Sequence, residues 1–182
     1  TVLIPVYNED PRSVGAGIAA MWRSLSATGL EGRFDLFILS DTTDPDIWVR
    51  EEAMWNELRS RPGMEGHLFY RRRPSNPKRK SGNIANFCRR WGRNYRYMIV
   101  LDADSVMAGE TWVRMVDAME RNPRIGILQT PPKGVNRETL IARVQQFANS
   151  LYGPLFAAGQ NFWQLGDAQY WGHNAIIRVE PF

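Results

Sequence analysis

Several features are scarce in this 182-residue chain, and each scarcity removes a class of protein. A single cysteine, Cys88, rules out a disulfide framework within the chain; a reducing compartment suits it without being required. No run approaches the roughly 18 to 20 consecutive apolar residues that cross a bilayer as a helix. There is no signal-peptide pattern, no internal repeat and no low-complexity stretch. Acidic residues are the minority, 19 against 23 basic, and the basic excess is concentrated. Arg71-Arg72-Arg73 and Lys78-Arg79-Lys80 lie close together around Pro74 and Pro77. Such a run suits nucleic acid, anionic lipid or phosphate, or no partner beyond water. No aromatic residues interleave with it and no recognisable nucleic-acid module surrounds it, so nucleic acid is the least favoured of these.

What the chain does have is enough apolar content, 43%, for one domain with a real core, and a regular rhythm of strand and helix. It opens on Thr1-Val2-Leu3-Ile4 and closes on Glu180-Pro181-Phe182, with neither an initiating Met nor a polar tail, which reads as a piece of a longer protein. Thr1–Val6 is expected as a strand, after which Asp10-Pro11 starts an amphipathic helix through Val14, Ile18, Met21, Trp22 and Leu25. Phe34–Leu39 is a second strand. Asp44-Pro45 repeats the start signal for a helix with Ile47, Glu51, Met54, Trp55 and Leu58 on one face. His67–Tyr70 reads as a weaker strand, and Ser81–Asn94 as a helix facing inward with Ile84, Phe87, Cys88 and Trp91. Met98-Ile99-Val100-Leu101 has the unbroken apolar run of a strand buried on both faces. A helix through Trp112, Met115, Val116 and Met119 ends at Asn122-Pro123, and Ile125–Gln129 is a strand stopped by Thr130-Pro131-Pro132. From about Arg137 a long helix carries Leu140, Val144, Phe147, Leu151 and Leu155 at helical spacing, with Pro154 expected to kink or end it. Its stripe predicts packing on the sheet ahead of contact with flanking membrane helices. Tyr170–Arg178 turns into a last strand. This alternation predicts an α/β fold, a mostly parallel sheet with helices on both faces.

The chemistry gathers at strand ends. Met98–Leu101 runs directly into Asp102-Ala103-Asp104, and open α/β sheets bind ligands beyond the carboxyl ends of their strands. Mg2+ or Mn2+ takes oxygen ligands, often one or two carboxylates shared with substrate phosphates. The same pair also fits plain roles, Asp102 ending a strand and Asp104 capping the next helix. Tyr7, Asn8 and Glu9 follow the first strand, Asp41 the second, and the basic loop with Lys80-Ser81-Gly82-Asn83 the third. Each has a plain role too: Asp41 in a turn, Asn83 as a helix cap, Lys80 as a surface charge. Parallel strands bring all of them to one sheet edge, where an acidic pair, a lysine and a helix N-terminus suit a diphosphate.

The ordered set Pro5-Val6-Tyr7-Asn8-Glu9, Asp41, Lys80-Ser81-Gly82-Asn83 and Asp102-Ala103-Asp104 resembles the motifs of family 2 inverting glycosyltransferases. That resemblance covers essentially the whole chain and implies the GT-A (nucleotide-diphospho-sugar transferase, Rossmann-like) fold. Gly172-His173-Asn174-Ala175-Ile176-Ile177-Arg178 and Gln129-Thr130-Pro131-Pro132 are most similar to the bacterial membrane glucosyltransferases of osmoregulated periplasmic glucan synthesis. Cellulose synthase catalytic domains are the next nearest relatives. The resemblance implies a UDP-sugar donor (UDP-glucose), a β-glucan acceptor and Mg2+ or Mn2+ as cofactor. It also implies a parent protein held by flanking transmembrane helices at the cytoplasmic face of the inner membrane. On it, Tyr7, Glu9 and Asp41 would hold the uridine, and Lys80 and Asn83 would lie against the nucleotide and its phosphates. Asp102 would touch the ribose or the sugar, and Asp104 would ligate the metal, so that the two aspartates stabilise the leaving UDP. Trp171, Gly172, His173 and Asn174 would line the acceptor side, with Trp171 either stacking on a sugar ring or packing as a large aromatic does.

Two parts of the family pattern are missing. The acidic motif carrying the general base does not follow Gly172-His173-Asn174, and the Gln-x-x-Arg-Trp acceptor motif is absent. Residues 1–182 therefore read as a single domain, the donor-binding part of a glycosyltransferase domain truncated before the general-base motif, expected to bind donor yet transfer poorly or not at all. Two other readings compete. Asp102–Val106 satisfies the Asp-x-Asp-x-Thr/Val signature of haloacid-dehalogenase-like phosphohydrolases, with Asp102 as nucleophile. That signature normally sits on the first strand, however, and its downstream lysine and paired acids are not evident around Lys133 and Asp167. The third reading is a non-catalytic nucleotide-sugar-binding module.

Overall fold

A computed structural model describes residues 1–131, 139–163 and 170–181. Among them six strands form one sheet: β1 (Val2–Val6), β2 (Leu36–Ser40), β3 (Leu68–Arg72), β4 (Tyr97–Val100), β5 (Ile127–Gln129) and β6 (Ala175–Arg178), in the order β3-β2-β1-β4-β6-β5. β1 pairs in parallel with β2 and β4, and β2 with β3, while β6 is antiparallel to both β4 and β5. Five strands thus run one way and β6 alone is reversed. The expected mostly parallel sheet is present, and the reversal brings the start of β6 to the edge where β1 to β4 end.

The helices are α1 (Pro11–Ser26), α2 (Pro45–Arg59), α3 (Arg79–Trp91), α4 (Gly109–Arg121) and α5 (Leu140–Trp163). The first two start where capping chemistry dictates. The Asp10 carboxylate accepts from the amides of Arg12 and Ser13, that of Asp44 accepts from Asp46, and a proline follows each cap. Strand alternation then sorts two cores onto the two faces of the sheet. Val2, Ile4, Val6, Leu36, Ile38 and Ile99 pack with Ile18, Trp22, Leu25, Leu58, Trp112 and Met115 of α1, α2 and α4. Leu3, Phe37, Leu39, Met98 and Val100 pack with Ile84 and Phe87 of α3. At the α1–α4 crossing, Gly109 sits against the backbone of Leu25 with no room for a Cβ.

Three expectations are corrected. α3 begins at Arg79 rather than Ser81, so Asn83 lies inside the helix and caps nothing. Asp104 does not cap α4 either, because that helix starts five residues later with Ala108 at the cap position and no side-chain cap. Nor does the stripe of α5 pack on the sheet: Val144, Phe147, Leu151 and Leu155 are 54–73% exposed, and the helix runs on past Pro154. An amphipathic pattern says which face of a helix is apolar, not what covers it. Pro132 and Arg137 lie outside the described residues. No helix among the described residues is long and apolar enough to cross a membrane.

Candidate active site

A cleft of about 890 Å³ opens at the carboxyl edge of the sheet, lined by Tyr7, Glu9, Asp41, Lys80, Asp102 and Asp104, with Asn76 of the β3–α3 loop and Arg79 at the start of α3. Its first wall is the turn after β1. The Tyr7 amide donates to the Glu9 carboxylate, and Asn8 adopts a left-handed backbone (φ 58°), which asparagine tolerates better than most residues. Asn8 then ties this turn to the one after β2. Its amide donates to Thr42 Oγ1 (3.1 Å), and its Oδ1 accepts from the amides of Thr43 (3.2 Å) and Asp44 (3.3 Å).

The turn after β2 rests on a buried carboxylate from α2. Glu51 accepts from the hydroxyls of Ser40 (2.7 Å), Thr42 (2.5 Å) and Tyr70 (3.0 Å). Asp41, held between the first two, is buried and gripped by a two-pronged Arg73 guanidinium, with Nε to Oδ1 and Nη2 to Oδ2 both 2.6 Å. Arg73 Nη2 also donates to the Arg79 carbonyl (3.2 Å), so the same residue secures the loop entering α3.

Lys80 joins three elements at the centre. Its ammonium donates to Asp102 and to the Gly172 carbonyl (2.8 Å), linking the first turn of α3 to the end of β4 and the turn before β6. Gly172 takes a backbone with φ +91°, open to glycine and hardly to anything else. On its other oxygen, Asp102 stands 4.0 Å from His173 Nδ1, too far for a hydrogen bond. Asp104 differs: it is exposed and has no hydrogen bond or ion pair among the described residues. Nearby, burial pushes the Glu9 carboxyl above its ordinary value; the Tyr7 amide partly offsets this, and the negative charges of Glu51 and Asp104 add to it. Burial, then the Asp102 charge, pushes the Tyr170 phenol up to about 12.

Six of the residues singled out from sequence therefore meet on one cleft. Asn83 does not. It is buried under the loop, donating to the Leu39 carbonyl (2.9 Å) and accepting from Arg71, so it fastens α3 to the sheet instead of facing a ligand. Trp171, Gly172, His173 and Asn174 form the turn into β6 at the same edge, outside the cleft lining. Gln129 holds that turn, accepting from the Trp171 amide and donating to the His173 carbonyl (3.1 Å each), while the Thr130 amide and hydroxyl donate to the Asn174 carbonyl. Trp171 is half exposed. The sequence reading gives no site role to Glu51, Asn76 or Tyr170, and knows Arg73 and Arg79 only as members of a basic run suited to phosphate. A carboxylate on the apolar stripe of α2 was the available signal for Glu51; the Arg73 pairing with a residue 32 positions away left none.

Among the described residues, no three His, Cys, Asp or Glu side chains gather closely enough to hold a metal ion unaided. The open oxygens of Asp104 nonetheless fit a hard cation whose shell is completed by ligand phosphates and water. The phosphohydrolase reading fares worse. Its aspartate belongs on a first strand, whereas here it follows β4 and is engaged by Lys80; Lys133 and Asp167 lie outside the described residues.

A family model, glycosyl transferase family 2, matches residues 1–182. The chain is 56% identical over 181 residues to the glucans biosynthesis glucosyltransferase H of Escherichia coli strain K12, covering 100% of this chain and 21% of that protein. The protein of the same name from Pseudomonas paraeruginosa gives the same identity and coverage. The chain spans about a fifth of the length of the curated relatives it matches. Among solved structures, the crystal structure of S. aureus TarS 1-349 is similar with TM-score 0.50 and 18% identity, over 76% of this chain and 37% of that one. The same protein in complex with UDP gives TM-score 0.50 at 16% identity, with the same coverage. These likenesses show the fold, that of GT-A glycosyltransferases.

Proposed function

This chain belongs to glycosyl transferase family 2, and from that premise we propose that it is the donor-binding part of an inverting glucosyltransferase that extends a β-glucan from UDP-glucose with Mg2+ or Mn2+. The observation that carries this is the meeting of Tyr7, Glu9, Asp41, Lys80, Asp102 and Asp104 on one cleft at the carboxyl edge of the sheet. Support also comes from relatives named for glucan synthesis and from a structural neighbour that holds UDP.

In this reading Tyr7 and Glu9 meet the uridine from the β1 side, and Asp41 meets it in the orientation Arg73 imposes. Lys80 and the N-terminus of α3 present positive charge to the diphosphate. Lys80 also fixes Asp102 at the ribose or sugar. Asp104 is the protein ligand for the cation, and Glu9 is close enough to feel its charge. When bound, the cation offsets negative charge developing on the departing UDP. Asn83 acts as a support, holding α3 so that Lys80 reaches across to β4. Gly172, His173 and Asn174 border the acceptor end, with Trp171 beside them for a sugar ring. Inversion requires the acceptor hydroxyl to attack the anomeric carbon from the face opposite UDP while a base takes its proton. No residue of this chain is assigned that base. In this reading the parent sits at the cytoplasmic face of the bacterial inner membrane between transmembrane helices, with the glucan as its acceptor.

Titration calorimetry of UDP into the protein, with and without Mn2+, tests the reading. Mn2+-dependent binding is expected, weakened at least ~100-fold by Asp104→Asn, since loss of an outer-shell contact alone costs ~10–100-fold. Binding indifferent to both Mn2+ and the substitution would remove the metal role. A folded full-length protein that ignores UDP would remove the donor role.

A further inference from the structure

The loop from Arg73 to Lys78, with the first turn of α3, separates two clefts. Asn76, Arg79 and Lys80 line the donor cleft, while Arg73, Pro77 and Lys78 line a second one of about 380 Å³ against the outer side of α3. Five cationic side chains line the second cleft (Arg71, Arg73, Lys78, Arg89 and Arg90), and no carboxylate does among the described residues. Asp41, from the other side of the loop, forms its ion pair with Arg73. Arg71 finds only neutral acceptors, the amide oxygens of Asn83 and Asn86 (2.6 Å to Asn86), and its buried Nε–H has no acceptor among the described residues. Arg71 and Arg90 both stand over the Trp91 ring, 5.8 and 5.9 Å from its centre. Burial, then the Arg73 charge, pulls the Arg71 guanidinium down to about 10; Asp41 opposes this in part and Arg90 adds to it.

The backbone is shaped to hold this arrangement. Lys78 (φ 61°) and Arg79 (φ 48°) are consecutive left-handed residues, and neither is glycine. Gly82 lies so close beneath the Pro77 carbonyl that a Cβ would strike it. Conformations of this kind persist where surrounding structure over-determines them, and they cluster at ligand clamps. Concentrated unpaired cations in a concave, partly desolvated setting attract anions strongly.

We propose that this second cleft is an anion site, separate from the donor cleft, that takes a phosphate group, either free or on a lipid headgroup. Arg71 and Arg90 supply planar donors suited to phosphate oxygens, and Lys78 and Arg89 supply charge at the rim.

The test uses the full-length protein saturated with UDP, so that the donor cleft is filled, and two probes: inorganic phosphate and monomeric short-chain phosphatidylglycerol, each titrated by calorimetry. Wild type is expected to bind one probe per chain, and Lys78→Gln/Arg90→Gln to bind it at least tenfold more weakly while UDP affinity stays within twofold. Phosphate binding points to a free anion, and phosphatidylglycerol binding without phosphate binding points to the headgroup. Binding of neither probe, or equal binding by the variant, overturns the proposal. Should UDP itself fail to bind, the same comparison of wild type and variant on UDP-free protein still reads this site.

Discussion

Phe87 on α3 and Phe147 on α5 each occupy the apolar stripe of an amphipathic helix, yet one is fully buried and the other 70% exposed. α3 is the more polar helix, with four basic residues in thirteen, whereas α5 carries Arg143 as its one charge in twenty-four residues. Hydrophobicity therefore does not separate them. What separates them is a facing surface. Phe87 meets Phe37 of β2 edge-on (ring centres 4.8 Å apart), with Trp91 and Tyr95 around it at 5.8 and 6.1 Å. The two faces of the sheet already belong to α1, α2 and α4 on one side and α3 on the other. The stripe of α5 stays open, and in the donor-half reading it is available to other parts of the parent protein.

The largest effect that probes this contrast comes from the covered side. Phe87→Ala is expected to lower stability by about 3–5 kcal/mol, the range for deleting a buried aromatic ring. Denaturant unfolding reads it, and a loss below about 1 kcal/mol would mean that the α3 face is no true core. Glu51 sharpens the contrast from another direction, as a charge on the covered stripe of α2. Glu51→Ala strands the buried Ser40 and Thr42 hydroxyls and the half-buried one of Tyr70, and is expected to cost about 1–3 kcal/mol. Because the same hydroxyls shape the turn carrying Asp41, UDP binding is expected to weaken as well, whereas Phe87→Ala is expected to spare it in whatever fraction remains folded.

These cases also show what the sequence could and could not disclose. Asp10-Pro11 and Asp44-Pro45 announced their helices because capping is local chemistry. The start of α3 is hidden for the converse reason: its cap is Lys78 in a left-handed backbone with no side-chain bond, which leaves no residue-type signal. The cleft was legible because parallel strands deliver Tyr7, Asp41, Lys80 and Asp102 to one edge whatever their separation in the chain. The reversal of β6, which puts Gly172 and His173 at that same edge, was not, since Ala175–Arg178 reads alike in either direction. Asn83 was assigned to the ligand side by its place in a motif. Its helical phase, one turn before the buried Phe87, turns it inward against the Leu39 carbonyl.

The smallest expected effect is the most informative about α5. Phe147→Ala, in the 182-residue chain, is expected to change stability by less than about 0.5 kcal/mol, as surface substitutions do, because its ring already faces solvent. The same side-chain truncation at Phe87 is expected to cost several times more, so the pair isolates coverage from residue type. Repeating Phe147→Ala in the full-length protein turns the comparison into an assay of what lies on α5. A cost rising to about 3–5 kcal/mol there would show that the parent covers the stripe as α3 is covered here. An unchanged, near-zero cost would show that the stripe faces solvent in the parent too. A cost above about 1 kcal/mol in the 182-residue chain itself would contradict the exposed placement of α5.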